Sequence, residues 1–231
     1  GGTLSMIRTA ETFKRAYRTA GVSINRRRAT AVSYGPEFTD NYEAFYKYAG
    51  KDFQLGTNFF YINWKDQQVL AQLSSDFYDT QVQNAASSAL YGTELEGRYH
   101  IATGHDLNAG IGYVTTRFKD FKTKYGDYNG HQFPFASHTT GRLSYQYKSP
   151  SNFNLLSIVQ YVGPSYTNAE NTRRADAQFY LNFNAQYAIH QIWLIEAYLN
   201  NALNGQYRIY DGTPTSTTSP YQASYHQTGT P

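Results

Sequence analysis

Cysteine is absent from the 231 residues and methionine occurs once. Disulfides and thiolate metal sites are thereby excluded, and the lack of thiols suits a chain that crosses an oxidising compartment unfolded. No run of about eighteen or more uncharged apolar residues is present, so no helix can span a bilayer. Gly1 to Arg8 has neither the basic start nor the apolar core of a secretion signal; the expectation is a mature protein or an excised piece. Charge is sparse as well. The net charge of +3 is too small for a nucleic-acid surface.

What is abundant is aromatic: 23 Tyr and 14 Phe, in a chain whose mean hydropathy is only −0.62. So polar a chain cannot hide that many rings in one dry core, so something apolar must cover them from outside. From Phe38 onward the residues alternate with period two, the signature of strands with two unlike faces. Between Tyr91 and Ile101 one face carries Tyr91, Thr93, Leu95, Gly97, Tyr99 and Ile101, and the other Gly92, Glu94, Glu96, Arg98 and His100. Phe179 to Ile189 repeats the split. Nine strands are predicted, at roughly 5–18, 37–48, 53–70, 87–102, 106–121, 137–148, 153–165, 177–189 and 192–208.

The connections alternate. Short turns at 49–52, 103–105, 149–152 and 190–191 take turns with long polar segments at about 19–36, 71–86, 122–136 and 166–176. Outer-membrane barrels have this pattern, with short periplasmic turns and long extracellular loops. Tyr46, Tyr48, Phe53, Tyr99, Tyr145, Tyr147, Phe153, Tyr187 and Trp193 share the apolar parity close to the short turns, where an interfacial girdle belongs. The fold class is therefore all-β, an antiparallel transmembrane β-barrel fragment of about nine meandering strands, with 1–231 as one partial barrel domain. Soluble barrels and sandwiches also alternate, but they turn the apolar parity inward and keep loops short at both ends. Nine strands place the first and last in the same direction, whereas single-chain barrels close with even counts. At least one strand is expected beyond Pro231.

Several stretches then take on a family likeness. Tyr17-Arg18-Thr19-Ala20-Gly21-Val22 resembles the G-Y-R-x-G-G strand end of TonB-dependent receptors, with Ala16 and Ala20 in place of glycines. Pro36-Glu37 followed by Tyr42-Glu43 and Lys47 is similar to that family's P-E-x-x-x-x-Y-E-x-G-x-K strand, with Phe45 at its glycine, and Phe60 to Gln68 resembles the strand that follows. Asn84-Ala85 with Gly92-Thr93-Glu94-Leu95-Glu96, Pro134 with His138-Thr139, and Asn200-Asn201-Ala202-Leu203-Asn204 with Tyr207 continue the series in the family's order. The resemblance covers nearly the whole chain. It implies a 22-stranded barrel whose plug domain, TonB-contacting segment and earlier strands lie upstream of Gly1, and whose final strand follows Pro231. It implies energy-coupled import across the outer membrane, most often of a ferric siderophore, with this segment supplying barrel wall and ligand-capture loops. The implied partners are TonB through the plug, a ferric siderophore or similarly large nutrient, and outer-membrane lipid with lipopolysaccharide. Passive diffusion as a porin and surface adhesion are the alternatives.

For ligand contact the candidates are Arg26, Arg27 and Arg28 in the first long segment and Arg173 and Arg174 in the last, since clustered guanidiniums hold anions by bidentate bonds. A solvated loop is the simpler explanation of them. Glu94, Glu96, Arg98 and Arg142 are assigned to the lumen, where they pair with one another, with the plug or with passing solute. Gly110-Ile111-Gly112 lacks the third glycine and the helix of a dinucleotide site. With scattered histidines, no HExxH and no G-x-S-x-G, neither a metal, a cofactor nor an enzymatic activity is expected.

Overall fold

The computed structural model describes residues 2–13, 35–72, 80–123, 126–190, 192–211 and 226–228, and among these there is no helix. Nine strands form one antiparallel sheet: β1 (Gly2–Phe13), β2 (Glu37–Ala49), β3 (Phe53–Gln72), β4 (Thr80–Ala102), β5 (His105–Asp120), β6 (Thr139–Lys148), β7 (Phe153–Val162), β8 (Gln178–Ile189) and β9 (Trp193–Leu199). Each strand pairs only with its sequence neighbours, so the sheet is an unbroken meander. β1 and β9 do not meet, and the barrel is not closed by this chain.

Directly paired residues share a face, so the register extends each parity across the sheet. One row runs Tyr46, Thr57, Leu95, Ile111, Gly141, Tyr161, Phe179. On this face the large side chains are uncovered: Leu95 is 44% exposed and Ile111 54%. Buried hydrophobic residues are few, and several sit under the long connections, so the apolar parity points outward as the alternation predicts. Rings close both ends of the apolar band. Phe53 and Tyr99 pair near the short turns, and Tyr42, Tyr61 and Tyr91 form a second row towards the long connections. The eight steps from Tyr91 to Tyr99 span about 27 Å along the strand at ~3.4 Å each, or roughly 20 Å once tilted by about 45°. A bilayer's apolar layer in this setting is about 25 Å tall, so two aromatic girdles bracket one lipid layer.

Strand lengths correct three expectations. β3 and β4 are longer than predicted, because Gln72 pairs with Thr80 and Gln67 with Ala85. With 20 and 23 residues they far exceed the nine to eleven that cross a bilayer. The hairpin therefore continues into water, where both parities mix polar with apolar residues, as at Gln67, Gln68, Val69 and Leu70, and the alternation that marks a strand disappears. β1 spans Gly2–Phe13, and residues 14–18 of its predicted extent lie outside those described. β9 stops at Leu199 instead of continuing to 208. Asn201 and Asn204 adopt left-handed backbone (φ 49° and 51°), which Asn tolerates and most residues do not. The Asn201 amide donates to Asn182 Oδ1 (2.8 Å) and Ala202 N–H to the Leu181 carbonyl (2.8 Å), so the Asn-Asn-Ala-Leu-Asn segment folds back onto β8.

The two later long connections are folded, not merely polar. Residues 121–138 and 163–177 carry short ladders at Lys122–Thr123 with Gly126–Asp127 and at Ser165–Tyr166 with Arg174–Ala175. Phe118, Phe121 and Tyr128 form a buried cluster, with Val69, Phe133 and Ala169 packed against it. Asn171 joins the two connections: its Oδ1 accepts from Gln132 N–H (2.7 Å) and its Nδ2 donates to the Gln132 carbonyl (3.0 Å). At about 1 kcal/mol per bond, Asn171→Ala is expected to weaken this junction by ~2 kcal/mol, and hydrogen exchange at the Gln132 amide should accelerate roughly 30-fold.

Candidate functional site

The polar parity lines the concave side of the sheet as a trough of about 1080 Å³. Its central row is Lys47, Gly56, Glu96, Gly110, Arg142, Gln160, Tyr180, one residue from each of seven strands. The row towards the long connections holds Asn58, Glu94, Gly112 and Thr140, and the row towards the short turns Gln54, Arg98, Asn108 and Ser144. Glu94, Glu96, Arg98 and Arg142 thus share one concave surface. Among the described residues neither Glu94, Glu96 nor Arg142 is in an ion pair, whereas Arg98 Nη2 lies 3.4 Å from Asp106 Oδ1, which His100 Nδ1 also meets at 3.1 Å. Gly56 and Gly110 flank Glu96, so its carboxylate stands over a floor without side chains.

A curved wall whose charges stand outside ion pairs among the described residues is suited to guiding or docking a charged or polar surface. Neighbouring strands are about 4.8 Å apart, so Glu96 and Arg142, two strands apart, are separated by roughly 10 Å of open floor. That width accepts another polypeptide or a solute between the charges.

At the long-connection end the trough meets the folded rim. Arg174 stands on its short ladder, and Arg173 directly precedes it. The Arg173 amide donates to Asn168 Oδ1 (3.0 Å), and the Arg174 guanidinium lies 5.2 Å from the centre of the Tyr166 ring, a cation–π contact. Arg26, Arg27 and Arg28 lie outside the described residues. The rim's aromatic cluster was not anticipated from the sequence, although Phe118, Phe121, Tyr128 and Phe133 are unusually dense for a solvated connection. Burial pushes the Tyr128 phenol above the usual tyrosine value, the largest cause, while a hydrogen bond to Thr123 opposes the shift. A phenol whose folded-state value is raised contributes stability that is complete below its ordinary value near 10 and lost as pH rises through the higher one. In an ultraviolet difference titration, Tyr128→Phe should therefore remove a late tyrosinate phase above pH ~10, leaving the earlier phases unchanged.

The whole arrangement has counterparts in known proteins. The sequence matches the TonB dependent receptor-like β-barrel family over residues 9–202. The ferric yersiniabactin uptake receptor FyuA from Yersinia pestis is similar in structure at TM-score 0.72 and 20% identity, over 99% of this chain and 33% of that one. The siderophore receptor PiuA from Acinetobacter baumannii is similar at TM-score 0.69 and 18% identity, covering 90% of this chain and 30% of its own. The copper transporter OprC follows at TM-score 0.70 and 14% identity, with 89% and 31% covered. The chain thus spans about a third of the length of these proteins. An outward apolar parity between two girdles, a polar concave face and a family match over most of the residues lead to one assignment: the chain belongs to the β-barrel family of TonB-dependent receptors and resides in the bacterial outer membrane.

Proposed function

We propose that this chain forms barrel wall and cargo-capturing rim in a TonB-dependent importer, and that the cargo is a ferric siderophore or a nutrient complex of similar size. The observation that carries the reading is the family match over residues 9–202, and the charged trough beneath a folded rim supports it. In this reading the rim meets cargo outside the cell, and residues 1–231 act as a single partial barrel domain. Glu94, Glu96, Arg98 and Arg142 face the lumen and engage the plug or the passing solute. Arg26, Arg27, Arg28, Arg173 and Arg174 offer guanidiniums to an anionic cargo or to lipopolysaccharide phosphates. TonB acts on the protein through the plug and draws on the inner-membrane proton gradient.

The test is uptake of radiolabelled ferric chelates by cells expressing the full-length protein, with and without functional TonB. Accumulation of at least one chelate that disappears without TonB is the expected result. Equal accumulation in both strains would show passive diffusion and remove the proposal.

A further inference from the structure

We infer that Arg117 and Lys119 form a phosphate site on the outer wall of the barrel, and that its occupant is the phosphorylated glycolipid of the outer leaflet, lipopolysaccharide. Both residues are exposed and lie on β5 at the end nearer the long connections. Arg117 pairs with Ala89 and Ala89 with Asn63, and this row is the next one of the outward parity after the girdle of Tyr42, Tyr61 and Tyr91. Two residues along a strand advance ~7 Å, or about 5 Å of height at a 45° tilt. The headgroup zone occupies roughly 5–8 Å outside each face of a bilayer's hydrocarbon core, so the row stands among headgroups. Phe118, between the two cations, is buried in the cluster beneath the rim, which leaves Arg117 and Lys119 on the opposite, lipid-facing side.

The register between β4 and β5 slips at this point: Ser88 faces Phe118 and Ser87 faces Asp120, so Lys119 has no residue opposite it. A bulge of this kind re-aims a side chain. The Lys119 ammonium reaches across β4, past the small Ala89, and donates to the Tyr61 hydroxyl (2.9 Å) and to Asn63 Oδ1 (3.1 Å), 5.5 Å from the centre of the Tyr61 ring. A lysine at such a depth ordinarily extends away from the apolar layer into water; this one is folded back against the girdle. An ammonium has three N–H groups, so one remains to donate, and the Tyr61 hydroxyl, which accepts from Lys119, keeps its own proton to donate. Among the described residues neither Arg117 nor Lys119 is in an ion pair, whereas Lys65 is held by Asp40 (3.2 Å) and Lys122 by Asp127 (3.0 Å), with Asp120 also acting on Lys122. A guanidinium beside an ammonium favours phosphate, which takes bidentate bonds from the first and a point charge from the second. On this face and at this height the neighbouring molecules are lipids, and the assignment is independent of what the barrel imports.

The purified full-length protein is titrated with diphosphoryl lipid A, with lipid A stripped of both phosphates and with phosphatidylglycerol, and bound lipid is counted by native mass spectrometry. The parent should hold diphosphoryl lipid A about 10-fold more tightly than either of the others, the size of one charge-assisted hydrogen bond. Arg117→Ala combined with Lys119→Ala should abolish that advantage, and Arg117→Lys combined with Lys119→Arg, which keeps both charges, should retain most of it. Lys51→Ala removes one cation at the short-turn end and should bind as the parent does. Heat-dependent gel mobility checks that each variant is folded; if the double variant is not, Arg117→Gln and Lys119→Gln are compared singly, each with an expected loss of about 3-fold. Equal affinity of the parent and the charge-free variants, equal binding of lipid A with and without its phosphates, or a loss in Lys51→Ala as large as theirs overturns the inference. Phosphatidylglycerol bound as tightly as diphosphoryl lipid A overturns the choice of glycolipid.

Discussion

Gly92→Ala in the full-length protein is expected to cost ~3 kcal/mol and to reduce the fraction of assembled barrel sharply, towards the upper end of what overpacking causes. A Cβ at Gly92 would lie 2.1 Å from the Tyr113 carbonyl, 2.7 Å from Phe60 Cζ and 3.0 Å from Val114 Cα. Two of these three neighbours are backbone. The adjoining strand must therefore move, and the ladder between β4 and β5 has to break or bulge to let it. Gly56 is a matched comparison on the same concave face, because a Cβ there meets nothing within 4 Å. Gly56→Ala should stabilise the strand by ~0.5–1 kcal/mol through lower backbone freedom in the unfolded chain. Opposite signs from one chemical change on one face are the discriminating result. The readout is the heat-dependent shift in gel mobility that separates folded from unfolded barrels, followed through urea. Similar behaviour of both variants would mean that the pairing of Gly92 with Val114 is misplaced.

Leu95→Arg should be nearly as damaging. Leu95 stands on the outward parity midway between Tyr91 and Tyr99, so it sits near the centre of the lipid layer. A guanidinium at that depth costs ~2–4 kcal/mol in β-barrels, and the cost fades towards the interfaces. Thr140→Arg places the same charge on the concave face, in the row that holds Glu94, and should stay within about 0.5 kcal/mol of the parent. Refolding into lipid vesicles along a denaturant series measures both. An equal penalty at the two positions would contradict the assignment of faces.

These assignments were largely readable in advance, for a reason that lies in the solvent. Where lipid wets one side of a strand and water the other, most residues declare their face, as Tyr91, Leu95, Tyr99 and Ile101 do against Glu94, Glu96, Arg98 and His100. The contrast vanishes once β3 and β4 leave the bilayer, which is why Thr80 to Ala85 reads as a loop although each residue is paired. The row Tyr42, Tyr61, Tyr91 escaped notice because it is assembled from three strands, and only the register brings the rings together. The turn at Asn200 to Asn204 falls inside the predicted ninth strand because alternation carries no mark of left-handed asparagines. The junction between the folded connections depends on Asn171 reaching Gln132, 39 residues away, and local pattern carries no trace of such a bond. Among the candidate site residues, Glu94, Glu96, Arg98 and Arg142 follow from parity alone.

The strict neighbour-to-neighbour pairing of the nine strands carries an evolutionary consequence. In a sheet without crossovers, one hairpin can be duplicated or deleted without rerouting any other connection, and each such event changes the circumference by two strands. Barrel diameter scales with strand number, so girth becomes a countable trait, altered in whole steps by gene-level copying. The short turns are the natural seams for these events. A lineage could then widen its bore for larger molecules while the lipid-facing pattern of every retained strand stayed as it was.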